Sequence, residues 1–236
     1  GSAVLVGSKE DYEAGAGSSE KFIARTAGAD GNNLHVVIVD KGPDFTITKS
    51  GHGLSVGGTY TDDAAVGHEV VEVVDANTVR IIQGTSAPTP ASGDTSVAFS
   101  NSQWNSTAIG STGLTFKEVG PRPGTSAFAS ERFISHDEVH VAVIDTSTNT
   151  IVERQLYLSK LLDGKSTEGA STYWQSYINE YSNFIYAGVL TSAEFTTLGE
   201  DPGASSASYG ATAAAPVNLA RILKTAGGAL SGGTDD

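Results

Sequence analysis

Residues 137–159, DEVHVAVIDTSTNTIVERQLYLS, constrain the fold more than any other stretch. Two alternating segments rich in β-branched residues flank the polar tetrapeptide TSTN. Alternation with a period of two lines one face of a strand with apolar side chains. A short polar loop between two such runs makes an antiparallel hairpin. A further run, LHVVIVD at 34–40, is apolar almost without a break, as in a strand buried on both faces. The GADGNN before it reads as a turn or loop. With 28 glycines and few aromatic residues, the chain suits short strands, turns and long loops better than a helical bundle. Its 236 residues make one large domain or two small ones, enough to bury a core.

The remaining sequence falls into three parts. Residues 3–6, AVLV, read as a short strand. From 45 to 115, short Val/Thr/Ile runs are broken by Gly, Asp and Asn, and HEVVEVVDANTVRII looks like a hairpin around DAN. TSAPTPASGD in this block is a Pro/Ser loop. The block reads as a small β-rich inserted domain with barrel-like patterning, and residues 1–44 and 116–236 form a discontinuous α/β core. Beyond the hairpin, STYWQSYINEYSNF spaces Trp174, Ile178 and Tyr181 as a helix does, with Thr172 and Gln175 placed for a capping box. FIYAGVL (184–190) reads as a strand, TSAEFTTLG as a short helix, EDPGASSASYGATAAAP as a low-complexity loop, and VNLARILKT as a strand or helix. The expected fold class is α+β, mixed α/β: a core mixed β-sheet with flanking helices plus a small all-β inserted module.

The formal net charge of −13, with no basic cluster, argues against direct nucleic-acid contact and against anionic membranes. Cysteine is absent, so disulfides, thiolate zinc sites and thiol nucleophiles are excluded. No run of about 18 apolar residues exists, so no membrane insertion is expected. No signal peptide is recognisable. Methionine is absent even at position 1 and the chain opens with Gly-Ser, which reads as a fragment of a longer chain.

Residues 135–145, SHDEVHVAVID, also hold the best metal-like pattern, His136 and His140. Two histidines four apart share an ion on a helix. On a strand they stand roughly 13 Å apart, and Glu138 lies about 6.6 Å from each. The valines favour the strand. Asp137, Val139, Val141 and Val143 then form a core-facing row, and the polar start of the strand faces solvent or a neighbour. Replacing both histidines with alanine is expected to leave the chain folded and its metal content unchanged. His35, His52 and His68 belong to no metal spacing; His52 and His68, with Asp62 and Asp63, read as a solvated loop. GAGSSE has Glu20 where a dinucleotide fingerprint needs glycine. Phosphate loops and nucleophile elbows are absent. Glu118, Glu131, Glu138, Asp40 and Asp44 read as surface acids. Asn105-Ser106-Thr107 matches a glycosylation acceptor. GPRPGTS (120–126) is a shaped surface loop or a contact loop in an assembly. No residue is assigned a catalytic, cofactor-binding or metal role, no cofactor is expected, and the chain is not read as an enzyme.

The singled-out residues form an ordered series. Arg25, Gly28, Gly31 and Asn32 lead into a buried strand, and Pro123, Gly124 and Thr125 form a loop before Asp137, Glu138 and His140. The return arm carries Val152, Glu153, Leu158, Ser159 and Lys160, then Asp163 and Lys165. A helix-to-strand passage follows with Tyr173, Trp174, Ile178, Asn179, Ser182 and Ile185. In order and spacing this resembles the middle portion of contractile phage tail sheath proteins, over roughly residues 20–44 and 116–235. The block 45–115 has no counterpart, and the parts of the family that exchange strands between subunits and touch the tube lie mostly outside this span.

The resemblance implies a structural subunit that stacks as hexameric rings around the tail tube and contracts to drive the tube through the host envelope. Its implied partners are further copies of itself, the tail tube protein, and the baseplate and tail terminator proteins. Its implied location is the virion tail, assembled in the bacterial cytoplasm. A related contractile injection system fits equally. Two readings from other classes stand beside it: a carbohydrate- or receptor-binding module of a phage surface protein, centred on 45–115, and a cell-wall hydrolase.

Overall fold

The computed structural model describes residues 9–14, 22–26, 28–109, 111–188, 203–220 and 226–230. The chain divides into two compact units, Gly1–Lys41 with Ser106–Asp236, and Gly42–Asn105. The readings at 3–6, 15–20 and 191–199 lie outside the described residues. The larger unit begins with helix α1 (Lys9–Glu13), strand β1 (Phe22–Ala24), a 3-10 turn over Ala29–Asn33, and strand β2 (Leu34–Val39). As its unbroken apolar run requires, β2 is buried on both faces from Val36 to Val39.

The smaller unit holds β3 (Phe45–Thr48), β4 (Thr59–Thr61), β5 (Gly67–Asp75), β6 (Thr78–Ile82) and β7 (Thr95–Ala98), with helix α2 (Asn101–Ser106) at its end. The strands form an antiparallel sheet in the order β4-β5-β6-β3-β7. The sheet is open, without the closure of a barrel. Asp75 pairs with Thr78, so the DAN hairpin turns on Ala76 and Asn77. Ile47, Tyr60, Val70, Val79 and Ile81 form this unit's own core. It ends at Asn105 and not at 115. Ala108 bridges to Thr115, and Thr115 caps α3 (Phe116–Val119) in the larger unit through a capping box with Glu118.

The larger unit resumes with α3, α4 (Ala127–Ser130), β8 (Ile134–Ser135), β9 (Glu138–Asp145), β10 (Thr150–Ser159), α5 (Trp174–Tyr181), β11 (Ile185–Ala187), β12 (Val217–Asn218) and β13 (Ala226–Ala229). Its four-stranded sheet runs β10-β9-β2-β13 and is antiparallel at each pairing. The expected mixture of directions comes from β8 and β12, a separate parallel pair. β9 and β10 are the hairpin read from the sequence. Asn149 closes its loop in the left-handed conformation (φ 52°), which asparagine tolerates better than most residues. Asp145 accepts hydrogen bonds from the Ser147 amide and hydroxyl in the same loop.

Register divides the sheet residues into two faces. Val36, Ile38, Val139, Val141 and Val143 pack with Leu158, Trp174, Ile178 and Ile185 in the main core. Val37 and Val39 stand opposite Ala142 and His140 on the other face. There, Gly120 approaches so closely that a Cβ on it would lie 3.3 Å from the His140 ring. Helix α5 thus packs on one face through Trp174 and Ile178, while Tyr181 is exposed. Its expected capping box is not formed: the N-cap is Tyr173, whose side chain makes no capping bond and whose hydroxyl donates to Gln175 at 3.1 Å. Gln175 instead donates to the Gly188 carbonyl at 3.0 Å.

Candidate functional site

Lys160, just past β10, lies under the start of β9. It is 0% exposed and Asp40, at the end of β2, is 1% exposed. The Lys160 ammonium sits 2.7 Å from each Asp40 carboxylate oxygen. It also donates to the His136 carbonyl at 2.9 Å and the Leu219 carbonyl at 2.7 Å. One side chain therefore ties the end of β2, the approach to β9 and the segment after β12. His136 offers its carbonyl from a left-handed backbone (φ 57°), a conformation costly for a non-glycine residue. Desolvation raises Asp40 to about 6, although Lys160 pulls it down. The same desolvation lowers Lys160, opposed by Asp40. Asp40 is therefore no surface acid.

Asp137 is fully buried beside this pair and organises the Pro-Gly loop. One carboxylate oxygen accepts the Ser126 amide at 2.8 Å. The other accepts the Ser126 hydroxyl at 2.8 Å and the Ser159 hydroxyl at 2.7 Å. Ser126 in turn caps α4 by accepting from the Ala129 amide. Half-buried Glu138 accepts the Gly124 amide at 3.0 Å, and burial pushes its pKa up. The Thr125 hydroxyl accepts the His136 amide. Residues 124–126 are thereby stitched to 136–138, which is what the paired Pro-Gly-Thr and Asp-Glu-x-His patterns encode.

His140 is buried as well. Its Nδ1 accepts the Tyr157 amide at 3.0 Å, so Nε2 carries the proton and donates to the Pro121 carbonyl at 2.8 Å. Burial lowers its pKa and keeps the ring neutral. Tyr157 has φ 57°, within an irregular stretch of β10 between Gln155 and Leu158. The expectation that the polar start of β9 faces solvent or a neighbour is overturned for His140, whereas Asp137 is buried as its place in the core-facing row requires. Both are enclosed because the loop at 120–126 folds back over them. Alanine at His140 would strip partners from the Pro121 carbonyl and the Tyr157 amide.

Arg25, Asn179, Ser182 and Asp163 also hold backbone. Arg25 donates to the carbonyls of Asn179 (2.6 Å) and Ile185 (3.1 Å), and its guanidinium lies 4.2 Å from the Tyr186 ring centroid. A cation at the last carbonyls of α5 also matches the helix dipole. Asn179 exchanges two hydrogen bonds with the Ala187 backbone. Ser182 accepts the Phe184 and Ile185 amides, and Asp163 accepts the Ser206 amide at 2.7 Å.

In the smaller unit, His68 and Asp62 are buried and not part of a solvated loop. Asp62 accepts amides of Val66 and Thr89 and lies 3.3 Å from His68, whose other nitrogen accepts the Gly84 amide. His52 accepts the Leu54 amide in a partly exposed turn.

Glu118 is used in the α3 cap, Asp44 accepts the Gln83 amide, and Glu131 and Asn105 are exposed. Among the described residues, no group of three or more His, Asp or Glu side chains is placed to hold a metal ion. No described helix is long and apolar enough to cross a membrane. In the larger unit, Asp40, Lys160, Asp137, Ser126 and Ser159 form a buried cluster that ties backbone segments together, and the other singled-out polar groups lie apart from it. Sequence reasoning missed Lys160 and Asp40 as a pair, because their 120-residue separation hides the contact. No protein-family model matches the sequence, and no curated protein matches it.

Proposed function

We propose that the chain is the core of a structural subunit of a contractile tail sheath, in a phage tail or a related injection system. In this reading it stacks as hexameric rings around a tail tube, between baseplate and tail terminator, and contracts to drive the tube through the host envelope. It would be assembled in the bacterial cytoplasm and act in the virion. The observation that carries the reading is the fate of the ordered residue series. Arg25, Asp137, His140, Lys160 and Asn179 are each committed to internal backbone or ion-pair contacts. This supports a mechanical role over a catalytic one. A subunit that changes neighbours during contraction needs an interior that stays fixed while its interfaces repack.

Sedimentation of the protein with and without preassembled tail tube tests this. Co-pelleting in six-fold multiples is expected; a chain that stays in the supernatant with tube present contradicts it. A second reading, glycan or receptor binding, draws on the smaller unit having its own core. Binding of the full chain to a glycan array, lost on deleting residues 42–105, would favour it.

A further inference from the structure

We propose that His140 is a proton switch for the edge strand β10: a proton on its ring breaks the bond to the Tyr157 amide and releases the Leu156–Tyr157 peptide from its bulge. The inference goes beyond the sheath reading and does not depend on it.

The bulge comes first. Gln155 pairs with Val141 and Leu158 with Val139, so Leu156 and Tyr157 together oppose His140. An extra residue in one strand leaves backbone out of the ladder. The His140 ring stands in for the missing partner: Nδ1 accepts the Tyr157 amide at 3.0 Å, and Nε2 donates to the Pro121 carbonyl at 2.8 Å. Tyr157 is held at φ 57°, where a bulky side chain strains the backbone. Tyr157 is 47% exposed, and its ring meets the His140 ring edge to face, with centroids 4.8 Å apart.

A neutral imidazole accepts at one nitrogen and donates at the other, whereas an imidazolium only donates. Protonation therefore sets an N–H at Nδ1 against the Tyr157 N–H, while the bond from Nε2 to Pro121 survives. Gly120 backs the ring so closely that a Cβ there would lie 3.3 Å from it, which hinders the ring from turning. The strand yields instead, because β10 lies at the edge of its sheet, paired there with β9 alone. Turning the peptide also relieves the left-handed backbone. Burial lowers the His140 pKa, so the bonded form holds near neutrality and the released form grows as pH falls through the folded value.

Charged groups on the surrounding elements are Glu138 on β9, Asp40 and Lys41 past β2, and Arg122 in the loop. Helix α3 contributes buried Phe116 and Val119, and its Lys117 and Glu118 are exposed. Burial pushes both Asp40 and Glu138 up from the ordinary carboxylate value, so the test must separate them from His140.

The test is nuclear magnetic resonance of the isotope-labelled protein, following the His140 ring nitrogens and the exchange of the Tyr157 amide from neutral pH downward. The expected result is a loss of Tyr157 protection of at least tenfold, beyond the intrinsic effect of pH, with the midpoint of the His140 ring. The β2 amides should stay protected through it. In His140→Gln, whose side chain accepts and donates without titrating, Tyr157 should stay protected throughout. Asp40→Asn and Glu138→Gln should each leave the transition in place. If a variant fails to fold, the wild-type midpoints decide alone. Tyr157 protection that is flat, that follows a different midpoint from the His140 ring, or that is lost together with β2 would overturn the proposal.

Discussion

At the scale of single residues, the interior is organised by groups that usually avoid interiors. Lys160, Asp40, Asp137 and His140 are buried, and each is held by hydrogen bonds from several chain segments. Removing one member of such a set leaves the other uncompensated. Lys160→Ala should therefore cost about 3–5 kcal/mol in urea unfolding, far more than loss of a surface pair. His140 makes a pH prediction. Its folded pKa is depressed below the ordinary 6.5, so its contribution is present above 6.5 and is lost as pH falls through the folded value. Stability of the wild type should drop across that acidic window. His140→Gln, whatever its stability at neutral pH, should lack that leg of the profile. An identical profile in both proteins would contradict the assignment. Asp137, His140 and Lys160 were visible in the sequence as members of a motif series and Asp137 as part of a core-facing row, but the burial of His140, Lys160 and Asp40 was not. The pattern Asp137-Glu138-x-His140 looks like the wet end of a strand until the Pro-Gly loop is known to fold over it.

Elements were legible where side-chain period was strong. The β9–β10 hairpin, β2 and the β5–β6 hairpin follow from alternating or continuous apolar runs. β13 was not legible. Its sequence, Ala-Gly-Gly-Ala, carries no β-branched signal, and backbone pairing with β2 alone defines it. The helix start at 174 was misread because Thr172 and Gln175 matched a capping pattern, whereas Gln175 is drawn toward the backbone beyond β11. The capping box sits instead at Thr115 and Glu118, on a helix of four residues too short to show a period. Ser126 links two elements at once, capping α4 and donating to Asp137. Ser126→Ala should thus cost about 1–3 kcal/mol, above an ordinary cap loss, read by chemical denaturation. A loss no larger than a few tenths would mean that Asp137 finds its partners elsewhere.

At the scale of the molecule, two hydrophobic cores belong to two units, and the sequence pointed to a β-rich insertion through a change in its turn spacing and composition. Each core should unfold as its own cooperative block. Calorimetry should resolve two transitions, with Ile47→Ala lowering the one that belongs to residues 42–105 and leaving the other in place. A single transition that shifts as a whole would show the units to be one cooperative block. The larger unit combines a four-stranded sheet and two separate strand pairs with a helix on one face of that sheet, a loop stitched over the other, and a lysine joining segments distant in sequence. That is the interior expected of a part that transmits force. The measurement that tests this most directly is negative-stain electron microscopy of the protein at high concentration. The account predicts helical tubes or six-fold rings, and a chain that remains monomeric both alone and with a tail tube present would contradict it.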